Sequence, residues 1–470
     1  MNKKFKYNLI LFLYLIIITT IETLLFFIYD YIRYSPISPS IEKITINKSK
    51  IKIALISDIH ICPYTFVNKN YKTYSKNFKQ ALKVLKKQNV DIIIIAGDVG
   101  DGNLLGSYIQ YNYILNSVYS NKKPIMNLIM GNHDYYGIPK PNKLSQRIFE
   151  FFTKEKPFNH KIINGFHFIN WSPDNGDLSK DKTYSAKKNW AEEQIKIALN
   201  DNPSKPIFII THTGPIFTSY GTYEYNNGNF YLKTLFNNYE NIISISGHSH
   251  ASLMEETSIY QGYFTGIQTQ SVSYIELENG YINGRIPVDE NDSNLSSMSN
   301  PMGIIMELSN EEIIFRRIHL KNGNFYNKIW NCKIPIKRNN FQYLFSKRMR
   351  EYNSPIWYEK TKINCTYHIN KGKFETKITF KQAYHELFVH TYLILFNNIQ
   401  NGKKMYYAFY SDFYKMKSEW KELITLKIPI NIRSGFYNIS IIAIDSFDNE
   451  SEELKGNIEV KNDKFNQSDI

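Results

Sequence analysis

The sequence predicts an α/β domain held between an N-terminal transmembrane helix and a C-terminal all-β sandwich. Three observations carry this. From residue 50 onward, short apolar runs alternate with longer stretches of helical period. A 21-residue apolar run, 9–29, precedes them. Beyond residue 350 strand-like runs recur with no helical stretch among them.

The chain of 470 residues is long enough for two or three domains. Its composition is that of a folded protein, 43% hydrophobic and 21% charged. Lys and Arg outnumber Asp and Glu by 57 to 43, a formal charge of +14. The lysines are spread along the chain and form no basic run of the kind that grips nucleic acid, so no nucleic-acid partner is expected. Cys62, Cys332 and Cys365 are too widely spaced for a metal-ligand motif or a disulfide framework, and a Cys332–Cys365 bridge stays open.

Residues 1–8 carry Lys3, Lys4 and Lys6 and read as a cytoplasmic tip. The run 9–29 matches the roughly 20 residues that cross a bilayer. Its one charge, Glu22, costs ~3 kcal/mol near a helix centre, whereas its Leu, Ile and Phe residues supply roughly 4–9 kcal/mol. No small-x-small cleavage site follows, which favours an uncleaved signal anchor over a removed signal peptide. The lysines stay inside, so the protein is expected at the cell membrane, single-pass, with the bulk of the chain, including the central domain, outside. Residues 30–49, with Pro36 and Pro39, read as a linker.

In the central domain, 50–345, strands are expected at 51–57, 92–96, 125–130, 207–211 and 242–245. Helices are expected at 73–88, around Tyr111 to Val118, and at 185–200, opened by Ser185. Further strands are expected at 262–268, 273–277, 303–308 and 312–319, with a polar loop at 284–301. The basic stretch Lys347-Arg348-Met349-Arg350 and the Ser354-Pro355 break mark a boundary. Residues 350–462 then form the β-sandwich, with strands at 362–369, 374–380, 387–396, 405–409, 422–430 and 437–444, and 463–470 is a polar tail.

Five apolar strands end in metal-capable groups. They deliver Asp58 and His60, then Asp98 with Asp101 close behind, then Asn132, His133 and Asp134, then His212, and finally His248 and His250. A lone Asp or Asn after a strand is ordinarily a cap or turn former. Five such endings in one domain are a set, and strand carboxyl ends are where α/β folds place their sites.

The order D-x-H, G-D, G-N-H-D, H, G-H-x-H resembles the calcineurin-like metallophosphoesterase superfamily over about 50–335. That resemblance implies a four-layer αββα sandwich with two metals at the strand ends. It implies Asp58, His60, Asp98 and His250 on one metal, and Asp98, Asn132, His212 and His248 on the other. His133 would be the catalytic histidine and Asp134 would orient it. Mixed N/O ligands suit Mn, Fe, Zn or Co. The implied activity is hydrolysis of a phosphomonoester or phosphodiester by in-line attack of a metal-activated hydroxide.

Protein phosphatases of the superfamily carry D-R-G in the second motif. Here Asp101 is followed by Gly102-Asn103, which disfavours them. The extension from Thr211 through Gly214-Pro215 to Gly247, with 262–266 and 274–278, looks more like bacterial phosphodiesterase-type members. The phrase 435–449 resembles the closing strands of fibronectin-type or immunoglobulin-like modules. Substrates within reach outside a membrane are nucleotides, lipid headgroups and wall polymers. The alternative is a surface-binding protein that keeps the fold as a scaffold. A scaffold should have lost ligands, and here the whole set is present. Cys62 reads as a bystander, Tyr135 and Tyr136 as cleft lining or packing, and His385 and His390 are one residue too far apart for a zincin helix.

Overall fold

The runs Ile51–Ile56, Ile92–Ala96 and Ile125–Ile129 lie side by side in parallel, with Ile53 opposite Ile92 and Ile92 opposite Ile125. Near-continuous apolar strands of this kind are stable only when both faces are covered. The structure is a computed structural model. It describes residues 33–63, 70–102, 105–120, 122–137, 141–178, 184–223, 228–276, 300–370, 372–429 and 431–461.

Those three strands form one half of a six-stranded sheet. Its order is Phe325–Lys333, Glu312–His319, Met302–Leu308, Ile51–Ile56, Ile92–Ala96, Ile125–Ile129. The other two motif-bearing strands, Ile207–Thr211 and Ile242–Ser246, are parallel neighbours in a separate seven-stranded sheet. The five strand ends therefore belong to two sheets, three and two.

Alternate residues of each strand explain the layering. Ile53, Leu55, Ile94, Phe208, Ile210, Ile243 and Ile245 meet in one cluster between the sheets. Ala54, Ile56, Ile93 and Ile95 face outward onto the helices Tyr71–Lys87 and Leu105–Val118, through Phe78, Leu82 and Ile114. On the opposite side Ile207, Ile209 and Ile242 pack on Lys188–Asp201 and Phe230–Phe236, through Ile195, Ala198 and Leu232. Helix, sheet, sheet, helix is the result.

Three expectations are corrected. Residues 273–276 are not a strand: Ser273 N–H donates to Asp58 O at 3.3 Å and Glu276 N–H to His250 O at 3.1 Å, so the segment clips the site loops together. The hairpin Phe158–Ile163/Phe166–Trp171 and the helix Asn142–Thr153 were not anticipated. The hairpin had a signal in Asn164-Gly165, whose positive φ values of 49° and 75° suit a tight primed turn. The three thiols are free, so Cys332 and Cys365 are not bridged. The expected anchor 9–29, most of the loop 284–301 and the tail 463–470 lie outside the described residues. Among the described residues, no helix is long and apolar enough to cross a membrane.

The expected boundary is a packed joint. Lys347 to Arg350 fall on a short helix, Phe345–Glu351, whose Arg348 is buried and donates to Glu256 O at 2.7 Å and Ile259 O at 2.9 Å. Beyond it lie two further sheets. One is ordered Asn364–Asn370, Lys373–Lys381, Leu423–Lys427; the other is ordered Lys404–Tyr410, Thr391–Asn398, Gly435–Ile444, Leu454–Val460. Leu387, Phe388, Phe413, Tyr414 and Phe447 from this part join the same cluster as the core between the α/β sheets.

At the joint the Glu255 carboxyl accepts from Ser446 Oγ at 3.0 Å, with His390 Nε2 3.7 Å away. Burial raises the Glu255 pKa from the usual 4.5 to about 8, against the lowering pull of Thr257 and Ser446. Between those values the folded chain holds a proton that the unfolded chain has released, so this contribution to stability is full below 4.5 and fades as pH rises to about 8. Glu255→Gln should flatten that part of the melting-temperature profile. Parallel profiles for variant and parent would contradict the protonated joint.

Candidate metal centre

The strand ends turn sharply. Asp58, His60, Asp98, His248 and His250 have φ of 53°, 46°, 53°, 75° and 53°. Non-glycine residues held there cost of order 1–3 kcal/mol each and gather where function requires them. Backbone bonds hold the bends: Asp58 N–H to Gly97 O at 3.1 Å, His60 N–H to Asp98 O at 3.1 Å, and Gly247 N–H to His212 O at 2.9 Å. Gly131 has to be glycine, because a Cβ there would collide with the Asp98 carboxylate.

These bends gather the side chains into two adjoining groups, Asp58 with His60 and His250, and Asp98 with His212 and His248, and a third, His60 with Asp98 and His133, overlaps both. Within each group the candidate ligand atoms lie within 4.8 Å of one another. His250 Nε2 is 3.3 Å from Asp58 Oδ1 and 3.2 Å from His60 Nε2. His212 Nε2 is 3.3 Å from Asp98 Oδ2 and 2.9 Å from Asn132 Oδ1. Asp98 Oδ2 also lies 3.7 Å from His60 Nε2, so Asp98 stands between the groups.

The donor set fits cations. Asp58 Oδ1 and Asp98 Oδ2 are buried and accept no hydrogen bond among the described residues. A buried carboxylate oxygen left that way is costly unless a cation meets it. His212 Nδ1 faces Ala96 O at 2.9 Å and can donate to it, so Nε2, which is aimed at two oxygens, is the nitrogen a cation would take in place of its proton. Burial pushes the His212 pKa down, but Asp98 overrides it and raises it to about 9. Burial, then His212, pushes His248 down to about 3. Burial raises the Asp98 carboxyl, yet His212 and His133 hold it well below the usual carboxylate range.

His133 is less buried than these groups and stands edge-on to His60, ring centres 4.5 Å apart. Its backbone N–H donates to Asp98 Oδ1 at 2.9 Å. Its Nδ1 lies 2.9 Å from Asp101 Oδ1. Asp134, expected to orient His133, accepts from the backbone N–H groups of Val99, Gly100 and Gly131 and from Tyr108 Oη, at 2.9–3.2 Å. Asp134 thereby ties two site loops together, and the carboxylate in contact with His133 Nδ1 is that of Asp101. The Asp134 carboxyl follows a negatively charged, enclosed position: burial, then Asp98, raises it to about 6 against those N–H donors.

Two aromatic residues at the site escaped sequence reasoning. The Tyr274 ring lies 4.2 Å from the His250 ring and stacks on Tyr74 at 5.7 Å. Tyr74 sits four residues before Phe78 and extends the buried helix face one turn, a signal that was present. Tyr274 had none, being assigned to a strand. Tyr135 and Tyr136 divide: Tyr135 is buried with its hydroxyl on Pro173 O, whereas Tyr136 is 45% exposed beside His133. Cys62 is buried near the first group's loop. Among the histidines outside the motifs, His160 and His167 do associate, 2.8 Å apart between Gln194 and Asp201.

Residues 51–252 match the family model described as Calcineurin-like phosphoesterase. None of the curated proteins compared with the chain matches it. Among solved structures, purple acid phosphatase PPD1 from yellow lupin (Lupinus luteus) aligns at 11% identity and TM-score 0.42, over 61% of this chain and 54% of that one. Vacuolar Protein Sorting 29 from Cryptosporidium parvum aligns at 11% identity and TM-score 0.29, over 61% and 100%. A conserved uncharacterized protein from Streptococcus pneumoniae, described as a phosphoesterase, aligns at 10% identity and TM-score 0.27, over 61% and 99%. The matched span runs from the first site strand to just past His250 and takes in all five strand ends.

Proposed function

We propose that this protein hydrolyses phosphoester bonds with two divalent ions of the Mn, Fe, Zn or Co type. The observation that carries the reading is the pair of ligand groups meeting at Asp98, with buried Asp58 and Asp98 carboxylate oxygens that accept no hydrogen bond among the described residues. When bound, the ions supply Lewis-acid activation and a clamp for in-line displacement at phosphorus. Asp58, His60 and His250 would hold one ion and Asn132, His212 and His248 the other, with Asp98 within reach of both groups. Asp101 fixes His133 through Nδ1, which leaves Nε2 to donate to the leaving oxygen or to steady charge on the phosphoryl group. Tyr74 and Tyr274 wall the His250 side.

The rest of the reading concerns place. The run 9–29 anchors the chain, and the domain works outside the membrane on nucleotides, lipid headgroups or wall polymers. The two C-terminal sheets, of three and four strands with Phe380, Tyr392, Ile424 and Ile439 in a shared cluster, are read as a fibronectin- or immunoglobulin-like accessory sandwich. Protease treatment of intact cells should remove the domain if it is exported.

The direct test is a panel of aryl phosphate monoesters, diesters, cyclic nucleotides and pyrophosphates, each with Mn, Zn, Fe or Co. Hydrolysis that survives complete metal removal would sink the reading. His248→Ala should weaken the ion held with Asn132 and His212, and His250→Ala the ion held with Asp58 and His60. A two-site binding isotherm separates them, and an equal loss at both sites in either variant would refute the division.

A further inference from the structure

Asn132 can present either its oxygen or its nitrogen to the centre, and only the oxygen can bind a cation. Here Oδ1 faces His212 Nε2 at 2.9 Å, while Nδ2 donates to Tyr136 Oη at 3.1 Å. A phenol hydroxyl has one proton to give. Tyr136 gives it to Gly176 O at 2.9 Å, which leaves Oη an acceptor toward Asn132. An amide turned the other way would bring its oxygen against that acceptor. The hydroxyl thus has one polarity, and it dictates the polarity of the amide.

The ring is fixed as well. A Cβ at residue 176 would come within 2.8 Å of Tyr136 Cε1 and 3.1 Å of Cδ1, so the loop lies flat against the ring only because the residue is Gly176. The centre of the ring also lies 4.9 Å from that of the His133 ring.

We infer that Tyr136 is a positioning residue that sets the Asn132 amide oxygen toward the metal centre, with Gly176 O as the acceptor that fixes its hydroxyl. This rests on the two-ion reading above. It adds a residue outside the ligand motifs and gives Gly176 a reason to be glycine.

The test is Mn binding by the full chain, with Mn alone as the probe. Partners behind a metal ligand typically cost about 10–100-fold in affinity when removed, so Tyr136→Phe should weaken one of two Mn sites by that factor and spare the other. In a His250→Ala background the remaining site should weaken on adding Tyr136→Phe. In a His248→Ala background adding it should change nothing further. Gly176→Ala, which keeps the hydroxyl but displaces the ring, should give the same single-site loss. Tyr135→Phe, whose hydroxyl bonds Pro173 O, should bind Mn as the parent does. A merely structural role would lower the melting temperature of the metal-free protein without singling out one site. The inference is overturned if Tyr136→Phe binds both Mn ions with the parent's affinities, or weakens both equally. If the parent chain itself binds no Mn, Zn, Fe or Co, the two-ion reading fails first.

Discussion

Asp98→Ala is expected to lower hydrolysis by roughly a thousandfold, the rate equivalent of about 4 kcal/mol of lost transition-state stabilisation. Asp98 touches both ligand groups, through His212 at 3.3 Å and His60 at 3.7 Å, and also accepts the His133 backbone N–H at 2.9 Å. Its loss weakens both ions and frees the His133 turn in one step. In the metal-free protein Asp98, despite its burial, is held ionised by His212 and His133 and accepts the His133 N–H, so alanine removes a paired charge. The metal-free melting temperature should fall, and the increase that Mn gives the parent should vanish as well. His133→Ala is the companion: it should keep both ions and lose rate alone. Parent-like hydrolysis in both variants would sink the mechanism.

Arg317→Ala should destabilise the fold by about 3–5 kcal/mol, a large part of the roughly 5–15 kcal/mol that typical proteins possess. Arg317 is fully buried, with its guanidinium 2.6 Å from Glu256 Oε1 and 4.2 Å from the ring centres of both Tyr326 and Trp330. It also donates to Leu253 O at 3.0 Å. Glu256 accepts from Trp330 Nε1 at 3.1 Å. Alanine strands the Glu256 charge and opens a cavity between two rings. Arg317→Met with Glu256→Gln removes both charges and should recover most of the loss. Urea unfolding measures both, and a single variant within ~1 kcal/mol of the parent would contradict the argument. Leu253 lies three residues after His250, so the loosened loop should also bind Mn less tightly.

The strands that deliver the site were legible because they are buried on both faces. Ile92 to Ala96 shows no polar interruption, and Gly97-Asp98 follows at once. The helices showed through their apolar faces, Phe78 with Leu82 and Leu85 most plainly. Partner choice was not legible. Nothing in Asp134 itself says that three backbone N–H groups will claim it, leaving Asp101 for His133. The split into two sheets was equally hidden, since an apolar run does not name its neighbour. Arg348 misled for a related reason: in a basic stretch it reads as solvated, whereas the carbonyls of Glu256, Ile259 and Tyr343 accept from it and make its burial tolerable. Phe325–Lys333 was missed because its outer residues stay half-exposed and its apolar content is diluted.

The pairing of Ile51–Ile56 with Met302–Leu308 has a consequence for how the chain is made. The strand that carries Asp58 and His60 emerges early, and its antiparallel neighbour follows about 250 residues later, roughly 10–50 s at ordinary elongation rates. For that interval Ile51–Ile56 is the bare edge of a growing sheet, with backbone groups open to any other strand. Such distant pairing is slow to find, so newborn chains are exposed to self-association before their first ligand loop is secured. Slower synthesis, lower temperature or an attendant chaperone should therefore raise the yield of soluble protein.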